Sequence, residues 1–137
     1  MKKRTAFTLI ELLVVIVIIG LLASLVAPKF FGKLETAKGK TAIAQMQMLS
    51  TALDSFKLDT NRYPTTEEGL AILWVDSSSV KDANGPYLPK PVDKDPWGFT
   101  YKYKVPGSDN HPYDLRALGA DGQEGGDGEN KDTSVWE

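Results

Sequence analysis

Residues 5–28 read TAFTLIELLVVIVIIGLLASLVAP, a run of 24 residues that carries a single charge, Glu11. Coiled as a helix the run extends for about 36 Å, long enough to cross the hydrocarbon core of a bilayer. A helix that is apolar all round has to be buried on every side, in lipid or among other helices. Glu11 is the anomaly within it. A carboxylate in an apolar surrounding is costly unless a cation sits beside it, so the residue points to a function and to a partner. Lys2, Lys3 and Arg4 precede the run, and such cations stay on the cytoplasmic side, which directs the rest of the chain outward. Ala23-Ser24-Leu25 and Ala27 imitate the cleavage site of a secretory signal. The apolar span is longer than a signal core, so a retained single-pass membrane anchor is the preferred reading.

The helical pattern resumes beyond Pro28. Ala42, Met46, Leu49, Leu53 and Phe56 follow one another at alternating spacings of four and three, which makes one apolar stripe on an amphipathic helix. Lys38, Lys40, Gln45, Gln47 and Asp54 occupy its other faces. The spacing predicts a long helix over 7–60, with 7–29 as its membrane or filament-core part and the later stripe packed on a body formed by 61–137. Gly20 and Pro28 fall inside it. Proline removes a backbone donor and crowds the preceding turn, so a bend or local unwinding is expected there.

After Asn61 the character changes. NRYPTTEEGL has a proline stop, then Thr65 or Thr66 as the cap of a short helix through Leu70, Ile72 and Leu73. Residues 77–98 are a loop rich in Pro, Gly and Asp. FTYKYKV (Phe99 to Val105) alternates apolar and polar side chains and predicts a half-buried strand. A turn at PGSDN and a second short strand within HPYDLRALG complete a hairpin. A third strand is not clearly visible. The expected class is α+β: one long amino-terminal helix on a small antiparallel sheet.

The tail, Gly119 to Glu137, holds five glycines and six acids against one lysine. Disorder is the ordinary reading of such a composition. Trp136, a large apolar residue near the end, argues for an ordered tail instead. Glycines between carboxylates let the backbone turn tightly and aim several oxygens at one point, and hard oxygen ligands suit Ca²⁺. The spacing is not that of an EF-hand. Catalysis finds less support: the chain has one His (His111), no Cys and no nucleophile motif. Asp93 and Asp95 sit in a Pro-rich turn, where Asp bonds its own backbone. No phosphate-binding loop precedes a helix, and no basic patch interleaved with aromatics suggests nucleic acid.

The apolar segment AFTLIELLVVIVIIGLLASLVAP resembles the amino terminus of type IV pilins and pseudopilins. LDSFKLDTNRYPTTEEGLAIL, GPYLPKPVDKDPWGFTYKY and YDLRALGADGQEGGDGENKDTSVW are similar to the major pseudopilins of the type II secretion system. The resemblance implies a pilin-like fold and a leader, residues 1–6, cut between Ala6 and Phe7 by a prepilin peptidase that also methylates the Phe7 amine. The family usually carries Gly before the cut where this chain has Ala6, the smallest step from Gly, so cleavage is expected to survive. Cutting removes three cations and takes the formal charge from −2 to −5, counting side chains only.

A cationic amine at Phe7 is then available to pair with Glu11 of a neighbouring subunit, which makes Glu11 an assembly and register residue. Gly20 and Pro28 become the stretch that unwinds as subunits leave the membrane. The resemblance also implies calcium in the tail loop, with Asp121 and the Leu118 carbonyl as ligands and Asp132 as the second carboxylate. Asp127 and Asn130 are further candidates, since ENKD here replaces a more acidic family pattern. The implied partners are other copies in a helical homopolymer, minor pseudopilins, an inner-membrane assembly platform and the peptidase. The implied function is a structural subunit, without catalysis, of a periplasmic pseudopilus that exports folded proteins across the outer membrane. The alternative is a pilin of an adhesive, motile or DNA-uptake fibre; an anchored calcium-binding protein that never polymerises, or a periplasmic enzyme, are remoter readings.

Overall fold

A computed structural model of the chain describes residues 5–137, so the basic trio at 2–4 and most of the leader lie outside the described residues. Helix α1 runs Leu9–Thr60. The chain divides into two compact units, the first ending at Glu35 and the second covering Thr36–Glu137.

The first unit holds the apolar part of α1. Its richest 18-residue window has a mean hydropathy of 3.0 and no buried residues, and the helix is long and apolar enough to span a bilayer. Leu9, Leu21, Leu25 and Val26 are each more than 60% exposed. Side chains of this kind in water cost roughly 1.5–3 kcal/mol each relative to burial, so this helix needs a cover that the chain itself does not provide. The helix continues without a break through Gly20 and Pro28.

The second unit has its own core. Ala42, Met46, Leu49, Leu53 and Phe56 are all buried, together with Ala52 beside them. The stripe expected from the spacing is therefore the face that packs, against Leu70, Leu73, Leu88, Tyr101, Tyr113, Leu115 and Ala117. Tyr113 lies at its centre, fully buried, with its ring 4.9 Å from that of Tyr63. Its hydroxyl is 2.7 Å from that of Ser50 on α1, and Tyr101 donates to Gln45 Oε1 on the same helix. These bonds satisfy phenols that would otherwise be buried unpaired.

Three short strands form one antiparallel sheet in the order β1–β2–β3: β1 Lys102–Lys104, β2 Asp114–Ala117 and β3 Thr133–Ser134. Tyr103 faces Leu115 across β1–β2, and Ala117 faces Thr133 across β2–β3. The α+β expectation holds, with two adjustments. The first strand begins at Lys102 and not at Phe99, because Asp95 holds Phe99 in a turn. The third strand comes from the acidic tail, where alternation is too short to read. The predicted short helix is a 3₁₀ turn, Leu70–Leu73. Neither Thr65 nor Thr66 caps it: Gly69 stands at its head, with no side-chain cap. Thr65 is spent one turn earlier, where it accepts from the Glu68 amide while Glu68 accepts from the Thr65 amide, the reciprocal pattern of a capping box.

Candidate functional site

The head of α1 and the tail loop carry the residues singled out above. Ala6 and Phe7 precede the helix and are exposed, Phe7 to 89%, so the bond between them is open to a peptidase. Glu11 sits in the first turn. Its Oε2 accepts from the Thr8 amide at 3.0 Å, and the Glu11 amide donates to Thr8 Oγ1 at 3.3 Å. This is a capping box, and a carboxylate there is also favoured by the helix dipole. Sequence reasoning missed it, although Thr-x-x-Glu before an apolar run is its signature. Among the bonds described, only one oxygen of the carboxylate is engaged, which leaves Oε1 for a second donor. Phe7, Ile10, Leu12, Val14 and Val15 surround Glu11 in an open apolar concavity.

Further along, Pro28 withholds a donor from the Ser24 carbonyl, and Ser24 Oγ donates to the Leu21 carbonyl at 2.7 Å. A β-carbon on Gly20 would meet nothing within 4 Å. Among the described residues, no packing therefore requires a glycine at this position.

In the second unit the tail is folded back on itself. The Ala120 amide donates to the Glu129 carbonyl at 2.9 Å and the Asn130 amide to the Asp127 carbonyl at 3.1 Å. Gly119 has a φ of +74° and approaches the Asn130 backbone so closely that a β-carbon would stand 2.8 Å from it, an approach that only glycine permits. Trp136 fastens the far end. Its indole N–H donates to the Tyr113 carbonyl at 2.8 Å, and its ring stacks on His111 at 4.6 Å. His111 is thus a packing partner of the tail.

The candidate ligands fall along this loop. Leu118 is buried. Asp121 is exposed, with Oδ1 accepting from the Gln123 amide at 3.1 Å. Asp127 and Asn130 are exposed, Asp127 just before the 3₁₀ turn Gly128–Asn130 and Asn130 as its last residue. Asp132 is partly buried: Oδ2 accepts from the Gly125 amide at 3.1 Å, whereas Oδ1 is buried with no partner. Among the described residues, no three acidic or histidine side chains converge as a metal-holding group. The orphaned Asp132 oxygen, in a loop folded tightly on its own carbonyls, nevertheless fits a hard cation that takes carboxylate and carbonyl oxygens together.

Asp95 bonds its own backbone, as expected of its turn: Oδ1 accepts from the Trp97 and Phe99 amides at 3.0 and 2.8 Å. Asp93 lines a separate groove with Trp74, Lys102 and Tyr103.

Comparison with known proteins agrees with this architecture. Residues 29–136 match the family model described as type II secretion system protein G, and residues 1–27 match the prokaryotic N-terminal methylation motif. The type II secretion system core protein G of Vibrio cholerae is 45% identical, across 99% of this chain and 94% of its own length. That of Pseudomonas aeruginosa is 39% identical, across 99% and 97%. The crystal structure of the major pseudopilin of enterohaemorrhagic Escherichia coli superposes with a TM-score of 0.60 at 30% identity, covering 77% of this chain and 92% of that one. The chain belongs to the type II secretion system protein G family, the major pseudopilins.

Proposed function

We propose that this chain is a structural subunit that polymerises into a periplasmic pseudopilus and thereby drives export of folded proteins across the outer membrane. It has no catalytic role of its own. The observation that supports this best is the apolar first part of α1, with no buried residue in its richest window and one carboxylate at its head. An inner membrane covers such a helix before assembly, and other copies of the same helix cover it afterwards. The prepilin peptidase first removes residues 1–6 and methylates the Phe7 amine, which keeps its charge. That amine then pairs with Glu11 of a neighbouring copy through the oxygen that the capping box leaves unused. A subunit out of register leaves a charge buried among aliphatic side chains, which is strongly destabilising. Gly20 and Pro28 are where the helix extends on leaving the membrane. An inner-membrane assembly platform adds subunits, and minor pseudopilins complete the filament.

Calcium belongs to the tail of this subunit. Asp121 and Asp132 supply carboxylates and Leu118 a carbonyl, with Asp127 and Asn130 completing the oxygen set. The ion neutralises an acidic segment and draws it together, which supports the outer domain during assembly. Support for this comes from the unpaired Asp132 oxygen and the folded acidic loop.

The test is filament formation in cells that also hold the peptidase and the secretion machinery. Sheared filaments are expected from the wild type, none from Glu11→Ala, and few from Asp121→Ala unless calcium is raised. Normal filaments from Glu11→Ala would overturn the pairing.

A further inference from the structure

We infer that Phe99, presented by a turn locked on Asp95, is the positioning residue that holds the tail loop ready for its cation. The inference rests on the calcium reading above and adds a residue that is not itself a ligand.

The turn is closed at several points. Lys94 and Thr100 form an antiparallel bridge. The Asp95 amide donates to the Phe99 carbonyl at 2.7 Å, and the Gly98 amide donates to the Asp95 carbonyl at 3.0 Å. Gly98 has a φ of +88°, which glycine adopts without strain. Asp95 is 5% exposed, and its carboxylate holds the Trp97 and Phe99 amides together. One oxygen, Oδ1, takes both amides, while Oδ2 is buried with no partner, so the turn is held by this clamp together with its backbone bonds.

What the turn presents is the Phe99 ring, and the ring lies on Gly122. A β-carbon on Gly122 would stand 2.6–2.8 Å from three of its atoms. Gly122 has a φ of +65°, and its amide points at the Gly119 carbonyl, 3.4 Å away. It directly follows Asp121, the first acid of the loop. On the other flank, Gly119 and Gly126 press against the Asn130 backbone. The loop is therefore gripped on one side by its own strand-bound end and on the other by Phe99. A glycine-rich segment is costly to order, and a contact that orders it in advance of binding strengthens binding.

The experiment uses the mature full-length chain in detergent, titrated with calcium chloride in a calorimeter. Phe99→Ala is expected to weaken binding about tenfold, while Phe99→Tyr, which keeps the ring, binds as the wild type does. Hydrogen exchange without calcium gives the second readout. Phe99→Ala is expected to speed exchange across residues 119–130 and to leave the amides of α1 and β2 unchanged, with saturating calcium restoring protection. Wild-type affinity in Phe99→Ala, or equal loss in Phe99→Tyr, overturns the inference and leaves the calcium reading standing. A wild-type chain that takes up no calcium overturns both.

Discussion

Glu11 has two duties at the scale of a single residue. Within its own chain it closes a capping box with Thr8; between chains it is the proposed acceptor for an amine that exists only after cleavage. Glu11→Gln separates the two, since an amide oxygen can still accept from the Thr8 amide but carries no charge. The variant is expected to keep its helix by circular dichroism and to lose filaments; filaments at wild-type abundance would assign Glu11 to capping alone. A second residue-scale expectation concerns Tyr113. Its hydroxyl shares a partly buried bond with Ser50, so Tyr113→Phe is expected to lower stability by about 1 kcal/mol in urea unfolding. An unchanged midpoint would mean that water replaces the phenol.

Among the elements, the link after α1 is stapled electrostatically. Arg62 grips Glu68 through two hydrogen bonds of 2.6 and 3.2 Å. This contact chiefly, helped by the Thr65 bonds and opposed by desolvation, holds the Glu68 carboxyl down at about 2, against an ordinary 4.5. A lowered carboxyl stabilises the fold above its unfolded value, and that contribution disappears as pH falls from about 4.5 toward 2. Both partners are partly exposed, so screening keeps the effect to about 1 kcal/mol. Glu68→Gln is expected to unfold at lower urea than the wild type at pH 7, with the gap closing below pH 4.5; a gap independent of pH would contradict the ion pair.

Elements built on periodicity were the ones legible in the sequence. The stripe Ala42 to Phe56 and the apolar run repeat often enough to be read directly, and α1 ends at Thr60 as the pattern suggests. Elements fixed by distant partners were not. Two residues of tail become β3 only because β2 offers its edge, and Trp136 finds its place through the Tyr113 carbonyl, 23 positions away. The candidate loop was legible from its glycines and acids, whereas the Phe99 contact, which joins two loops, leaves no local trace.

For the whole molecule, the second unit is complete in itself and the first is not. Thr36–Glu137 contains every residue of the buried core, while the helix before it exposes Leu, Ile and Val on every face. The account requires that exposure to end in contact with further copies of the same helix, in one register. A helical reconstruction of sheared filaments by electron cryomicroscopy tests this most directly. The prediction is a Phe7 amine of one subunit within about 4 Å of Glu11 of its neighbour, with residues 9–34 enclosed by other helices. A map in which Glu11 meets only its own Thr8, with no neighbouring amine in reach, would contradict the account.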